Sequence, residues 1–252
     1  MKITCHIRGI ACQADLDRPI DLSIPLVPDA EGPNAYGAPV FRAEPVRAGS
    51  FVGDTRLGGS VNFMDVRLNP HGNGTHTECY GHIATERVAV NDCLKRYHFT
   101  ARLLTLYPTR RESGDLVIER EQLADIVVPG EVEAIILRTM PNGEEKARRQ
   151  WTGTNPPYLD AGAVDWLVHC GVEHVLVDLP SVDREEDGGV LAAHHVWWGY
   201  PDHVRVGATI TEMIYVPDFC RDGLYLLNLQ IAPFVLDASP SKPLIYPLTV
   251  LP

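Results

Sequence analysis

Asp160-Ala-Gly-Ala-Val-Asp-Trp-Leu-Val-His-Cys-Gly171, continued by Val172-Glu-His-Val-Leu-Val-Asp-Leu179, reads as a helix that runs straight into a buried strand. Asp160 offers a side-chain acceptor to the first free amides, Ala163, Val164, Leu167 and Val168 share one face, and Gly171 allows the stop. This step puts Asp178-Leu-Pro-Ser181 at the carboxyl end of the strand, the usual rim for a site in mixed α/β folds. Working outward, residues 3–8, 61–68, 102–107, 132–138 and 224–229 are short runs rich in β-branched residues or leucine, mostly bounded by Gly, Pro or Asp. Sheet dominates the pattern. With no internal repeat and no tether-like tract, the expectation is an α/β fold, a single mixed-sheet domain spanning residues 1–252.

The balance of 22 Lys+Arg against 33 Asp+Glu gives a net charge of -11, which repels a phosphate backbone or an anionic membrane and excludes nucleic acid as the expected partner. No apolar run approaches the roughly 20 residues that span a bilayer. The start lacks an apolar leader and soon reaches Asp15 and Asp17, so a cytoplasmic location is expected. The 6 cysteines form no CxxC pair and are expected to be reduced thiols. Proline is dense in residues 19–45 and 233–252, which suggests extended arms. The second, with Phe234, Val235, Leu236, Leu244 and Ile245, is expected to pack over another copy of the chain, making a homo-oligomer.

The stretch Asn69-Pro-His-Gly-Asn-Gly-Thr-His-Thr-Glu-Cys-Tyr-Gly-His82 concentrates histidine, glutamate and cysteine among glycines. If a strand begins at Thr75, its period of two puts His76, Glu78 and His82 on one face, and the Gly72-Asn73-Gly74 turn can fold His71 back towards them. Imidazole nitrogen and carboxylate oxygen suit zinc, manganese or a similar divalent ion; the alternative is a polar, solvated loop. Cys79 falls on the opposite parity and reads as a buried thiol rather than a ligand.

A second set lies downstream: Asp178-Leu-Pro-Ser-Val-Asp183, the adjacent His194 and His195, and Glu212. Adjacent histidines on a helix point about 100° apart, so one at most faces a given ion. Glu212 sits among Ile210, Met213 and Ile214, where an ionised carboxylate is costly unless it is paired, metal-bound or partly exposed on an amphipathic segment.

Taken together these blocks resemble the metal-dependent cyclase family that includes bacterial kynurenine formamidase and isatin hydrolase. Gly74-Thr75-His76-Thr77-Glu78 with His82 is similar to the family pattern H-x-G-T-H-x-D-x-P-x-H. The Asp178–Asp183 block, His194-His195, Glu212 and Asp237-Ala-Ser-Pro-Ser-Lys-Pro-Leu follow in the family's order. The resemblance implies a swivelling β/β/α-like fold and one or two divalent ions per subunit. One ion would be held by His71, His76 and Glu78, with the carboxylate bridging to a second held by His194 or His195 and Glu212; His82 would be the catalytic acid/base. Three departures stand out: Glu78 replaces the pattern's Asp, His71 lies five residues before His76 where the pattern has four, and Tyr80 replaces its proline.

The function expected is metal-dependent hydrolysis of a carbon–nitrogen amide bond in a small-molecule substrate, an aryl formamide or cyclic amide. An ion would supply the nucleophile and polarise the carbonyl, and His82 would protonate the departing nitrogen. Phe63, Trp197 and Trp198 either line an aromatic substrate's pocket or pack in the core. The rivals are a lactone or ester hydrolase, a cyclase or dehydratase using the same ion, and a metal-free binding protein that kept the fold.

Overall fold

The computed structural model describes residues 1–28 and 32–251. Residues 29–31, inside the first proline-dense segment, and Pro252, at the end of the second, lie outside the described residues. Seven strands close on themselves: β1 (His76–Glu78), β2 (His98–Leu106), β3 (Ala134–Thr139), β4 (His174–Val177), β5 (Thr209–Glu212), β6 (Gly223–Ile231) and β7 (Ala238–Pro247). Their spatial order is β6-β2-β3-β4-β5-β1-β7, with β7 returning to β6. Strands β2 to β5 are parallel neighbours, and the remaining contacts around the ring are antiparallel. Closure pairs both edges of every member of the ring and leaves none of its strands as an open template.

Alternation along these strands separates two cores. Ala134, Ile136, Leu176, Ala101, Leu103, Leu227 and Ile245, drawn from strands all round the ring, fill the barrel's interior. Their neighbours of opposite parity, Ile135, Leu137, Val175, Val177 and Ile210, face outward. There they pack against Ala163, Val164 and Leu167 of α2 (Ala161–His169) and Trp197 of α3 (Ala192–Trp198). Being buried on both faces is why β3 and β4 read as continuous apolar runs. The helix expected after Asp160 forms as α2: the Asp160 carboxylate accepts from the Ala163 amide at 2.8 Å, and Gly171 takes the left-handed φ of 80° beyond its end. A shorter helix, α1 (Pro70–Asn73), leads into β1.

The C-terminal segment corrects its expectation. Within that arm residues 238–247 are not irregular: they form the ten-residue strand β7, which closes the barrel between β6 and β1 and buries Ile245, while Val235 and Leu236 before it stay exposed. Pro240, Pro243 and Pro247 disguised it, because proline removes a ladder donor and breaks the apolar alternation. Their carbonyls still serve: Pro240 accepts from the Ala232 amide at 3.1 Å and Pro243 from the Leu22 amide at 3.0 Å.

The run 61–68 also differs. Its strand is only Met64–Arg67, paired with Arg42–Pro45 in an excursion outside the barrel where Leu57, Val61, Phe63 and Val66 are exposed. Trp197 and Trp198 are core residues, and Phe63, itself exposed, stacks edge-on against Phe51. Among the described residues no helix is long and apolar enough to cross a membrane. Leu137→Ala should leave a cavity between the barrel wall and the helices, lowering stability by about 2–5 kcal/mol in urea unfolding.

Candidate metal centre

The site grows from the register of two short strands. His76 of β1 lies directly opposite Glu212 of β5, and Glu78 opposite Ile210, so all four side chains share the barrel's outer face. His76 Nε2 is 3.3 Å from Glu212 Oε2, and both side chains are buried. His71 arrives from α1. Asn69 caps this turn by accepting from the Gly72 amide at 3.1 Å, while its own amide donates to Asn73 Oδ1 at 2.7 Å. Gly72 is needed for a close approach, because a Cβ there would stand 2.2 Å from the Ala38 side chain. The turn takes up the one-residue offset of His71 and leaves its Nδ1 3.1 Å from Glu78 Oε2.

His194 comes from the first turn of α3. Asp183 accepts from the Ala193 and His194 amides at 2.8 and 3.0 Å, and from His194 Nδ1 at 2.6 Å, so one carboxylate caps the helix and orients the imidazole. His194 Nε2 then lies 3.2 Å from Glu78 Oε1. His195, the expected alternative, is turned away from this cluster: its Nδ1–H donates to the Tyr200 carbonyl at 3.0 Å. The helical rotation between adjacent residues separates them.

His82, on a single turn (Tyr80–His82), stands at the mouth with its side chain 31% exposed. Its Nδ1 is 3.8 Å from Glu78 Oε2 and 3.3 Å from Asp237 Oδ2. Cys79 points the other way into an apolar cluster with Val90 and Cys93.

Sequence reasoning gave no role to two carboxylates that touch these histidines. Asp183 lies within the 178–183 block, but its capping of α3 depends on the fold. Asp237, just before β7, accepts from His71 Nε2 at 2.8 Å as well as from His82. Its only signal was its place in the Asp237-Ala-Ser-Pro block. The rim residue Asp178 lies apart from the cluster, paired with buried Lys146 at 2.8 Å and accepting from the Thr139 amide at 2.8 Å. Burial pushes its carboxyl up despite Lys146. The same rim does reach Glu212, whose Oε1 accepts from the Val182 amide at 3.1 Å.

The donor set fits a divalent ion. Each of three imidazoles has one nitrogen engaged elsewhere: His76 Nδ1–H by the Gly74 carbonyl at 2.9 Å, His194 by Asp183 and His71 by Asp237. The other nitrogen of each faces Glu78 or Glu212. His76 Nε2 and Glu78 Oε2 are buried without a hydrogen-bond partner, which is costly unless something binds them. Burial opposes protonation of His71, but Asp237 and Glu78 outweigh it and raise its pKa to about 10. His194 is likewise pushed up to about 10, with Asp183 and Glu78 overcoming burial. Burial works to raise the Glu78 pKa, yet the imidazoles of His82, His194 and His71 hold it well below the usual range.

Set beside known proteins, this architecture and these residues fall into one family. The Cyclase family profile matches residues 20–184, and the chain belongs to that family. Kynurenine formamidase of Bacillus cytotoxicus is 30% identical over 192 residues, covering 75% of this chain and 82% of the relative. Kynurenine formamidase of Bacillus cereus is 29% identical over the same length and coverage. Among solved structures, isatin hydrolase A from Labrenzia aggregata superposes with a TM-score of 0.65 at 16% identity, covering 91% of this chain and 93% of that one. A predicted metal-dependent hydrolase from Bacillus stearothermophilus gives 0.62 at 15% identity, covering 91% and 98%. At these identities the structures speak for the fold.

A divalent ion entering the site must displace the protons held by His71 and His194. Both pKa values are raised to about 10, so apparent affinity should climb as pH rises towards 10, by about tenfold per pH unit for each proton displaced. Chelator competition for zinc at pH 6, 7 and 8 reads this slope; a flat response would mean that the ion-free imidazoles are already neutral.

Proposed function

We propose that the chain, acting as one domain, is a metal-dependent hydrolase of a carbon–nitrogen amide bond, with an aryl formamide or cyclic amide as substrate. The observation that carries this reading is the convergence of three oriented imidazole nitrogens on two buried carboxylates, with a half-exposed histidine beside them. Relatives named kynurenine formamidase and fold neighbours named isatin hydrolase support amide chemistry.

His71, His76, Glu78, His194 and Glu212 would hold the ion or ions, zinc or manganese. Glu78 touches His71 through Oε2 and His194 through Oε1, as a carboxylate shared between one ion and a second would. When bound, a divalent ion supplies a nucleophile at neutral pH and draws charge from the carbonyl oxygen. His82 does the proton work. Its Nδ1–H donates to Asp237, and among the described residues its Nε2 has no hydrogen-bond partner, so Nε2 is the atom that would deliver a proton to the departing nitrogen. Gly81, Thr85, Arg87, Leu236 and Asp237 line a surface cavity of about 460 Å³ beside it, room enough for a small aromatic amide.

Zinc- or manganese-loaded protein should hydrolyse an N-formyl arylamine or a cyclic amide; turnover of esters with none of either amide would overturn the amide reading. His76→Ala should abolish stoichiometric metal in a folded chain. His82→Ala should keep its metal and lose about 10²–10⁴-fold in kcat. Metal loss in His82→Ala with retention in His71→Ala would reverse the roles of the two histidines.

The homo-oligomer belongs to this reading too, now through the excursion rather than the C-terminal strand. Leu57, Val61, Phe63 and Val66 are each at least 50% exposed on a segment with almost no core of its own, the surface expected of an arm that packs on a second copy. Light scattering at micromolar concentration should give an oligomer, and replacing Phe63 and Val66 by Asp should give the monomer. A parent that is strictly monomeric would overturn it.

A further inference from the structure

We propose that Asp237 is a positioning residue that sorts two neighbouring histidines into opposite roles, turning His71 into the metal site and holding His82 out of it. The inference rests on the function proposed above. A single oxygen, Oδ2, accepts from His71 Nε2 at 2.8 Å and from His82 Nδ1 at 3.3 Å. The two rings lie side by side, their centroids 4.4 Å apart and their planes 33° from parallel, so both reach the same atom.

The carboxylate is fixed by its backbone. The Asp237 carbonyl accepts from the Cys79 amide at 3.0 Å, the Leu236 carbonyl from the Val90 amide at 2.8 Å, and Ala238 is the register partner of Glu78. Asp237 is therefore anchored to the strand that carries His76 and Glu78, and it lies beyond the 20–184 stretch matched by the family profile.

The two hydrogen bonds act in opposite senses. For His71 the bond occupies Nε2 and leaves Nδ1, 3.1 Å from Glu78, as the ligand nitrogen. For His82 it occupies Nδ1, the nitrogen that stands only 3.8 Å from Glu78 Oε2. Without that bond His82 Nδ1 is free to ligate: Glu78, His82 and His194 present ligand atoms all within 4.8 Å of one another. Hydrogen-bonded carboxylates behind ligating histidines fix tautomer and ring direction, and their loss commonly weakens metal affinity 10–100-fold. Here the same atom also decides which of two histidines is a ligand at all.

The test is a double-mutant cycle on zinc affinity, read by chelator competition on purified chain and so independent of substrate. In the parent, His82→Ala should leave affinity within about twofold. In the Asp237→Ala background, where His82 has become a ligand, adding His82→Ala should weaken zinc by about tenfold or more. Asp237→Asn, which keeps the volume, should shift the cycle in the same direction should the alanine variant fold poorly. Asp237→Ala should also lower kcat on the formamide by about 10²-fold or more, because His82 no longer exchanges protons. Equal effects of His82→Ala in both backgrounds would overturn the inference alone. A parent that takes up neither zinc nor manganese would overturn the proposed function and this inference with it.

Discussion

Two carboxylates buried on one patch of the barrel wall, Glu78 and Glu212, set the terms for everything around them. Neither is more than 3% exposed, and an uncompensated charge so placed costs several kcal/mol. Every neighbouring feature supplies part of the compensation. Glu212 takes the Val182 amide and faces His76; Glu78 is flanked by His71, His194 and, farther off, His82. The surplus negative charge and the orphaned nitrogen of His76 are what a dication would satisfy, and the same surplus charge raises the pKa values of His71 and His194.

That constraint explains a second ring of residues whose work is orientation. An imidazole can ligate through either nitrogen, so each histidine facing the carboxylates has its other nitrogen engaged, by Gly74, Asp183 or Asp237. Asp183 shows how economical this can be: the same side chain caps α3 and orients His194, so the helix begins where the site needs its histidine. The anchors come from a β1 carbonyl neighbour, the rim after β4 and the start of β7. Only the closed barrel brings these three together.

Legibility in the sequence followed the range of the interactions. The period of two that placed His76 and Glu78 on one face is a local property, as is the Asp160 cap, and both were readable. The choice between His194 and His195 was not, because it is made by Asp183 and the Tyr200 carbonyl through tertiary contact. Asp237 was silent for a stronger reason: its partners lie 166 and 155 residues away. The C-terminal strand is hidden in the sequence because its three prolines remove the alternation that marks a strand, while its pairing depends on partners no local pattern reveals. The offset of His71 looked disruptive in the sequence and is absorbed by one capped turn.

The position of the site on the outside of the barrel also fixes the register of its shortest strand. In His76-Thr77-Glu78 and Ile210-Thr211-Glu212 the outer positions carry the charged groups, while the two threonines between them point inward and bond to each other at 2.8 Å. The charged face and the self-satisfied neutral face come from the same six residues. A slip of one residue would swing the carboxylates into the interior beside Leu176 and Ile245 and strand the threonine pair outside. Three residues are too few to hold register by apolar burial, so β1 is clamped by β5 on one side and β7 on the other. Bonds from the Cys79 amide to Asp237 and from the Ser241 amide to Thr75 extend that clamp past both ends of the strand. Closing the barrel with β7 therefore does two things at once: it removes the open edge, and it brings Asp237 up to the histidines whose orientation the carboxylates demand.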